Sequence, residues 1–201
     1  RRYIKVDGKP LLLVYRPGLL PDAAATADRW RQRARDCGLG EIYLVSVQSF
    51  FHLDLTGPHA YGFDAAAEFP PHSFAVEAKA QPRGFPGRRF EGKAYDYVAT
   101  REQFLAREMP AYPLFRGVMP RWDNTARRGS QAGIFVGATP ADYEDWLRRA
   151  VAYTKSAYFG DERLVFVNAW NEWGEGNYLE PDRLFGHAYL DATRRALGPG
   201  R

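Results

Sequence analysis

The chain of 201 residues has one cysteine, two methionines and five lysines, and it has no long apolar run. Each shortage excludes a class of protein. A single thiol, Cys37, can build neither a disulfide framework nor a cysteine-based zinc site within the chain, and a reducing compartment is compatible with it. No stretch approaches the roughly 18 consecutive apolar residues of a membrane span. The opening Arg1-Arg2-Tyr3-Ile4-Lys5 lacks an initiator methionine and the apolar centre of a signal peptide. The reading is of a piece of a longer cytoplasmic protein, with its targeting information carried elsewhere and peripheral membrane association left open. His52, His59, His72 and His187 show no close metal-ligand spacing, and there is no glycine-rich phosphate loop. Neither a metal nor a cofactor is expected.

What is present is the composition of a globular protein, 45% hydrophobic and 26% charged. The formal charge of +4 comes from basic residues scattered through helical segments, so no nucleic-acid partner is expected. Apolar runs of strand length alternate with helical patterns. Pro10 to Tyr15 follows an Asp7-Gly8 turn and reads as a buried strand. A helix follows from Pro21-Asp22 to about Cys37. Glu41 to Val47 is a second strand. Thr100 to Glu108 reads as a helix capped by Thr100, and Tyr112 to Met119 as a strand. Thr139-Pro140-Ala141-Asp142 opens a helix that Gly160 ends, Leu164 to Val167 is a strand, and Leu184 to Leu197 is the last helix. From about 57 to 94, five prolines and many glycines predict one long irregular loop.

Near-continuous apolar strands joined by helices imply a parallel sheet covered on both faces. A doubly wound sheet and part of a (β/α)8 barrel both fit. A complete barrel takes about 250 residues, so residues 1–201 would be a single catalytic domain lacking its N-terminal strands. In both architectures sites form at the C-terminal ends of strands, which places Arg16, Gln48, Arg121 to Asn124 and Asn168 to Glu175 on the functional rim.

The densest chemistry lies just beyond the last strand, in Asn168-Ala169-Trp170-Asn171-Glu172-Trp173-Gly174-Glu175-Gly176-Asn177-Tyr178. Two carboxylates on a glycine-broken turn suit glycosidic bond chemistry, in which one exchanges a proton with the bridging oxygen and the other acts as nucleophile or base. Tryptophan faces suit the apolar C–H patches of sugar rings. The alternative is an exposed loop pair with Trp170 and Trp173 filling the core. The rim position favours a site, with Glu172 and Glu175 catalytic and Trp170, Asn171, Trp173 and Tyr178 binding substrate.

Asn171-Glu172-Trp173-Gly174-Glu175-Gly176, followed by Glu180, resembles the Asn-Glu-Trp-X-Glu-Gly signature of glycoside hydrolase family 99 and, more closely, its WbsX-type relatives. Three further segments are similar to that group: Asp7 to Pro17, Gly62 to Pro71 and Trp122 to Arg128. The resemblance implies an α/β fold of (β/α)8 TIM-barrel type, of which this chain is the C-terminal portion. It also implies a hydrolase or glycosyltransferase of bacterial cell-surface polysaccharide, lipopolysaccharide or O-antigen metabolism, taking a glycan or a glycosyl donor. By the same resemblance Glu172 corresponds to a base on the sugar 2-hydroxyl and Glu175 to the general acid/base. Gly174 stands where the hydrolases carry His.

Secondary candidates complete the set. Trp122, Asp123 and Asn124 either bind a sugar, with Trp122 stacking on a ring, or form an Asx-type turn around a core Trp. Asp64 and Glu68 either line a subsite or lie on a solvated loop. Arg16 binds an anionic substrate group or forms an ion pair at the strand end. Arg127-Arg128 reads either as a contact to a membrane surface or diphosphate, or as a solvated loop. The competing functions are a non-catalytic carbohydrate-binding or structural segment and a basic nucleic-acid-binding domain.

Overall fold

A computed structural model describes residues 3–49, 57–72, 74–79 and 90–198. In chain order its strands are β1 (Lys5–Val6), β2 (Lys9–Val14), β3 (Tyr43–Gln48), β4 (Ala65–Glu68), β5 (Lys93–Asp96), β6 (Leu114–Val118), β7 (Gly133–Val136), β8 (Val165–Val167), β9 (Asn171–Glu172) and β10 (Asn177–Tyr178). The α-helices are α1 (Ala23–Asp36), α2 (Tyr97–Ala106), α3 (Thr125–Arg128), α4 (Pro140–Ala157) and α5 (Ala188–Leu197). None of the described helices is long and apolar enough to cross a membrane. The chain divides into two compact units. The first comprises Arg1–Ser73, Glu108–Arg116 and Thr154–Phe166, and the second Phe74–Arg107, Gly117–Tyr153 and Val167–Arg201.

The first unit is built on a six-stranded sheet in the order β1-β2-β3-β4-β6-β8. Asp7 and Gly8 both have positive φ, 50° and 76°, as a two-residue turn of the mirror-image type requires, and they fold β1 back antiparallel on β2. From β2 onward the pairing is parallel, from Leu11↔Tyr43 through Val45↔Ala65 to Ala66↔Leu114. The period-2 alternation of a strand sends Tyr43 and Val45 into one apolar cluster with Leu11 and Phe115, and Leu44 into another with Phe63 and Ala27 and Ala34 of α1. Both faces of β3 are therefore buried, as its near-continuous apolar run predicts. β2 departs from that expectation. It is a strand, but the clusters cover Leu11 and Val14 and leave Leu12 and Leu13 exposed. The predicted irregular loop is also corrected within the described residues, because it contains β4. Three consecutive alanines have little intrinsic β preference, and it is the slot between β3 and β6 that makes Ala65-Ala66-Ala67 a fully buried strand.

In the second unit β5 and β7 pair in parallel, from Lys93↔Gly133 to Asp96↔Val136. Its core is aromatic: Tyr97 and Phe104 of α2 pack on Trp146 of α4, and Tyr143 of α4 on Tyr189 of α5. The buried Tyr97 hydroxyl is satisfied by donating to the Met119 carbonyl at 2.7 Å. Helix α2 starts earlier than predicted, because Asp96 caps it by accepting from Ala99 N–H at 2.9 Å. Thr100 is buried within the helix and accepts from Val76 N–H instead. Helix α4 opens as predicted, with the Thr139 hydroxyl accepting from Asp142 N–H at 3.2 Å. Helix α5 starts later than predicted. The Asp182 carboxylate accepts from the N–H groups of Leu184 and Phe185, at 2.9 and 2.5 Å, and holds that stretch as a turn.

Candidate active site

Beyond β8 the chain is anchored where Asn168 N–H donates to the Val118 carbonyl at 2.9 Å. It then forms a hairpin. Strand β9 pairs antiparallel with β10, Glu172 opposite Asn177 and Asn171 opposite Tyr178, and the connection is one 3-10 turn, Trp173–Glu175. The Trp170 carbonyl closes the base of the hairpin by accepting from Leu179 and Glu180 N–H at 2.9 and 3.2 Å. Gly176 ends the turn at φ +56°, a left-handed conformation that favours glycine.

The hairpin places the two carboxylates differently. Glu175 is largely shielded, its side chain 16% exposed, and Oε1 pairs with the Arg127 guanidinium at 2.7 Å. Its main-chain carbonyl accepts from Asp123 N–H at 2.8 Å, tying the turn to the segment before α3. Burial, reinforced by the charge of Glu172 and opposed by Arg127 and Arg128, pushes the Glu175 carboxyl above the usual range. A shift in that direction is the one a general acid uses. Glu172 is exposed, and its Oε1 lies over Gly174, where an added methyl carbon would stand 3.2 Å from it.

Beside the carboxylates is an aromatic stack. Trp173 lies on Tyr178 with ring centroids 3.7 Å apart and planes within 17°, and its indole N–H donates to Glu180 at 2.6 Å. Tyr178 is held in turn: its hydroxyl donates to Asp182 at 2.9 Å, and Arg121 lies 5.4 Å from its ring and 5.7 Å from that of Phe185. Burial of the Asp182 carboxyl is outweighed by the hydrogen bonds it accepts from Phe185, Tyr178 and Leu184 and by Arg121, and it titrates below its usual range. Trp170 and Trp173 are 53% and 47% exposed, so neither is a core residue and both offer ring surface to a ligand.

Trp122, Asp123 and Asn124 take the turn alternative. Trp122 is buried and cannot stack on a sugar. Asp123 Oδ1 accepts from Thr125 N–H at 2.9 Å in an Asx turn, and Asn124 Oδ1 accepts from Gly133 N–H at 2.8 Å. Together they support the backbone that holds the Glu175 turn.

Arg16, Asp64 and Glu68 belong to the first unit and the other candidates to the second. Asp64 holds a structural position. Its Oδ2 accepts from Leu44 N–H at 2.7 Å and from Arg31 at 2.9 Å, fastening α1 to β3. Glu68 is not on a solvated loop. It ends β4 opposite Gln48, fully buried, with Arg116 of β6 at 3.1 Å. Arg16 is half-buried after β2 and its carbonyl accepts from Leu19 N–H. Sequence reasoning missed Arg116, and it placed Arg121 on the rim and Glu180 after the signature without giving either a supporting role. An arginine inside an apolar strand is the signal that a buried acid must face it.

Parallel strands alternating with helices make this an α/β protein of (β/α)8-barrel type. The likeness to solved structures agrees. A glycoside hydrolase-like protein superposes with a TM-score of 0.64 at 18% identity, over 98% of this chain and 56% of that one. The GH99 endo-alpha-mannosidase from Bacteroides thetaiotaomicron superposes with a TM-score of 0.51 at 15% identity, over 96% and 57%. Residues 1–193 match the family described as Glycosyltransferase WbsX, and the chain belongs to that family. It is 44% identical over 196 residues to the WxcX proteins of Xanthomonas campestris pv. campestris strains B100 and ATCC 33913. The match takes in 98% of this chain and 28% of the length of each relative.

Proposed function

We propose that the chain forms the C-terminal part of a single catalytic barrel domain in a carbohydrate-active enzyme. It acts on glycosidic bonds of bacterial cell-surface polysaccharide, with Glu175 as general acid/base and Glu172 as its partner base. The observation that carries this reading is Glu175: a shielded carboxyl with a raised titration range, beside a second carboxylate and an exposed tryptophan. In the protonated form Glu175 delivers a proton to a departing glycosidic oxygen. In the ionised form it takes one from an attacking hydroxyl. Glu172, on the other side of the turn, is the group to draw a proton from the sugar 2-hydroxyl, the role its counterpart has in the family 99 hydrolases. Trp173 and Trp170 supply ring faces for sugars, with Asn171 and Tyr178 flanking them.

The test uses the full-length protein, assayed for glycan products by mass spectrometry. Glu175→Gln keeps the shape and a hydrogen bond to Arg127 but removes the titrating group, and turnover falls by about 10²–10⁴-fold if the acid/base role holds. Wild-type turnover in this variant rules the reading out. Glycan binding without turnover by the wild-type protein instead identifies a non-catalytic binding barrel.

A further inference from the structure

Glu175 bears its cation on an exposed side chain. The Arg127 side chain is 56% exposed although it pairs with the shielded Glu175 at 2.7 Å. The neighbouring Arg128 is also exposed and has no side-chain hydrogen bond or ion pair among the described residues, yet its charge reaches the same carboxyl. Both arginines project from α3, which packs against the turn carrying Trp173 and Glu175. The short helix is fixed at its root by the Asx turn of Asp123 and by the Gly133 N–H, which donates to the Asn124 side chain. A neutral glycan and a water molecule call for no exposed guanidinium pair beside the acid/base. A leaving group that departs as an anion does, because planar guanidinium groups bind phosphate oxygens in two-pronged fashion and stabilise charge as it develops.

We propose that Arg127 and Arg128 bind the diphosphate of an activated glycosyl donor, which makes the site that of a glycosyltransferase. This rests on the reading of Glu175 as the acid/base. The diphosphate competes with Glu175 for Arg127, and the carboxylate it releases is free to act as base. The bond from the anomeric carbon to the diphosphate oxygen breaks, with its electron pair leaving on the diphosphate. The acceptor's hydroxyl oxygen bonds to that carbon, and its proton passes to the Glu175 carboxylate. The donor's diphosphate is carried either by a nucleoside or by an isoprenoid lipid, and both present the same oxygens to the two arginines.

Calorimetric titration of the full-length protein with pyrophosphate, uridine diphosphate and geranyl diphosphate, at fixed ionic strength, tests the site. Arg127→Ala/Arg128→Ala is expected to weaken pyrophosphate binding by about tenfold or more, the loss of charge-assisted contacts. Arg127→Lys/Arg128→Lys retains part of it. Glu175→Gln is expected to tighten binding several-fold, since a neutral amide competes less well for Arg127. That gain of affinity cannot come from a misfolded variant. Tighter binding of uridine diphosphate than of geranyl diphosphate assigns a nucleotide donor, and the reverse a lipid-linked one. Pyrophosphate binding that is absent, or indifferent to both the arginines and Glu175, overturns the proposal. If glycan turnover that depends on Glu175 accompanies that negative result, the acid/base reading stands and only the diphosphate site fails. Turnover indifferent to Glu175 overturns both.

Discussion

A methyl group on Gly176 would stand 2.6 Å from the carbonyl oxygen of Asp123 and 3.1 Å from its backbone nitrogen. The same Asp123 nitrogen donates to the Glu175 carbonyl, so the close approach and the hydrogen bond are one contact between two backbones. Side chains can turn aside from an intruding methyl, but neither backbone here can do so without dismantling the turn that presents Glu175.

Gly176→Ala is therefore expected to cost about 1–3 kcal/mol from the left-handed conformation alone, and more from the collision with Asp123. Urea unfolding measures that loss, and glycan turnover should fall with it. Gly174→Ala is the control. Its methyl meets only the mobile end of Glu172 at 3.2 Å, so the protein should fold with near-wild-type stability while turnover drops through the displaced carboxylate. Equal stability of the two variants is the outcome that sinks this account.

The orientation of Trp173 depends on Glu180. Removing the acceptor of its indole N–H, 2.6 Å away, leaves the ring stacked on Tyr178 but free to rotate in its plane. A hydrogen bond to a charged group contributes about 1.5–3 kcal/mol, so Glu180→Ala is expected to raise KM by about tenfold or more with a smaller change in kcat. Glu180→Gln keeps an acceptor oxygen and should recover much of the loss. Steady-state kinetics in which kcat alone falls would place Glu180 in the chemistry rather than in the support of the platform.

How far the site was legible in the sequence follows from how local its signals are. The hairpin from Trp170 to Tyr178 could be read because carboxylates, tryptophans and glycines within nine positions carry their own geometry. The barrel-type alternation was legible where strands are rich in β-branched and aromatic residues, as in β3 and β8. It was not legible in β4, where alanines become a strand only through the neighbours that flank them. Nor could the sequence distinguish an Asp123 that binds sugar from one that closes a turn. The partners that decide it, Thr125 N–H and the Glu175 carbonyl, include one supplied by a segment some fifty residues away. Glu68 stood in a stretch that looked irregular, and only the pairing of β4 with β6 brings Arg116 to it.

The pH dependence of turnover should carry the mark of Arg127. A positive charge beside Glu175 favours the ionised carboxylate, so Arg127→Ala raises the Glu175 titration point further above the usual range. Whichever limb of the kcat/KM profile Glu175 governs is expected to move to higher pH in Arg127→Ala. In Glu172→Gln, which removes a like charge, it should move to lower pH. The two shifts have opposite signs, which separates them from a general loss of structure. Profiles that move in the same direction, or not at all, would detach that limb from Glu175.

The Glu68–Arg116 pair offers a separable test of stability and function, because both side chains are almost fully buried, 1% and 5% exposed. Removing one partner of a buried pair takes the ion-pair contact from a charge that stays in a low-dielectric interior, at a typical cost of about 3–5 kcal/mol. Arg116→Met alone is expected to destabilise by that amount. The double variant Arg116→Met/Glu68→Leu should regain most of it, since it removes both charges of the pair from the interior. Glu68 also ends a parallel strand, at the edge where barrel-type folds place their binding groups. If its carboxylate contributes only to packing, the rescued double variant turns over glycan at the wild-type rate. If it also binds substrate, the double variant is as stable as the wild type in urea but has a raised KM. An Arg116→Met protein that unfolds at the wild-type urea midpoint removes the premise of both.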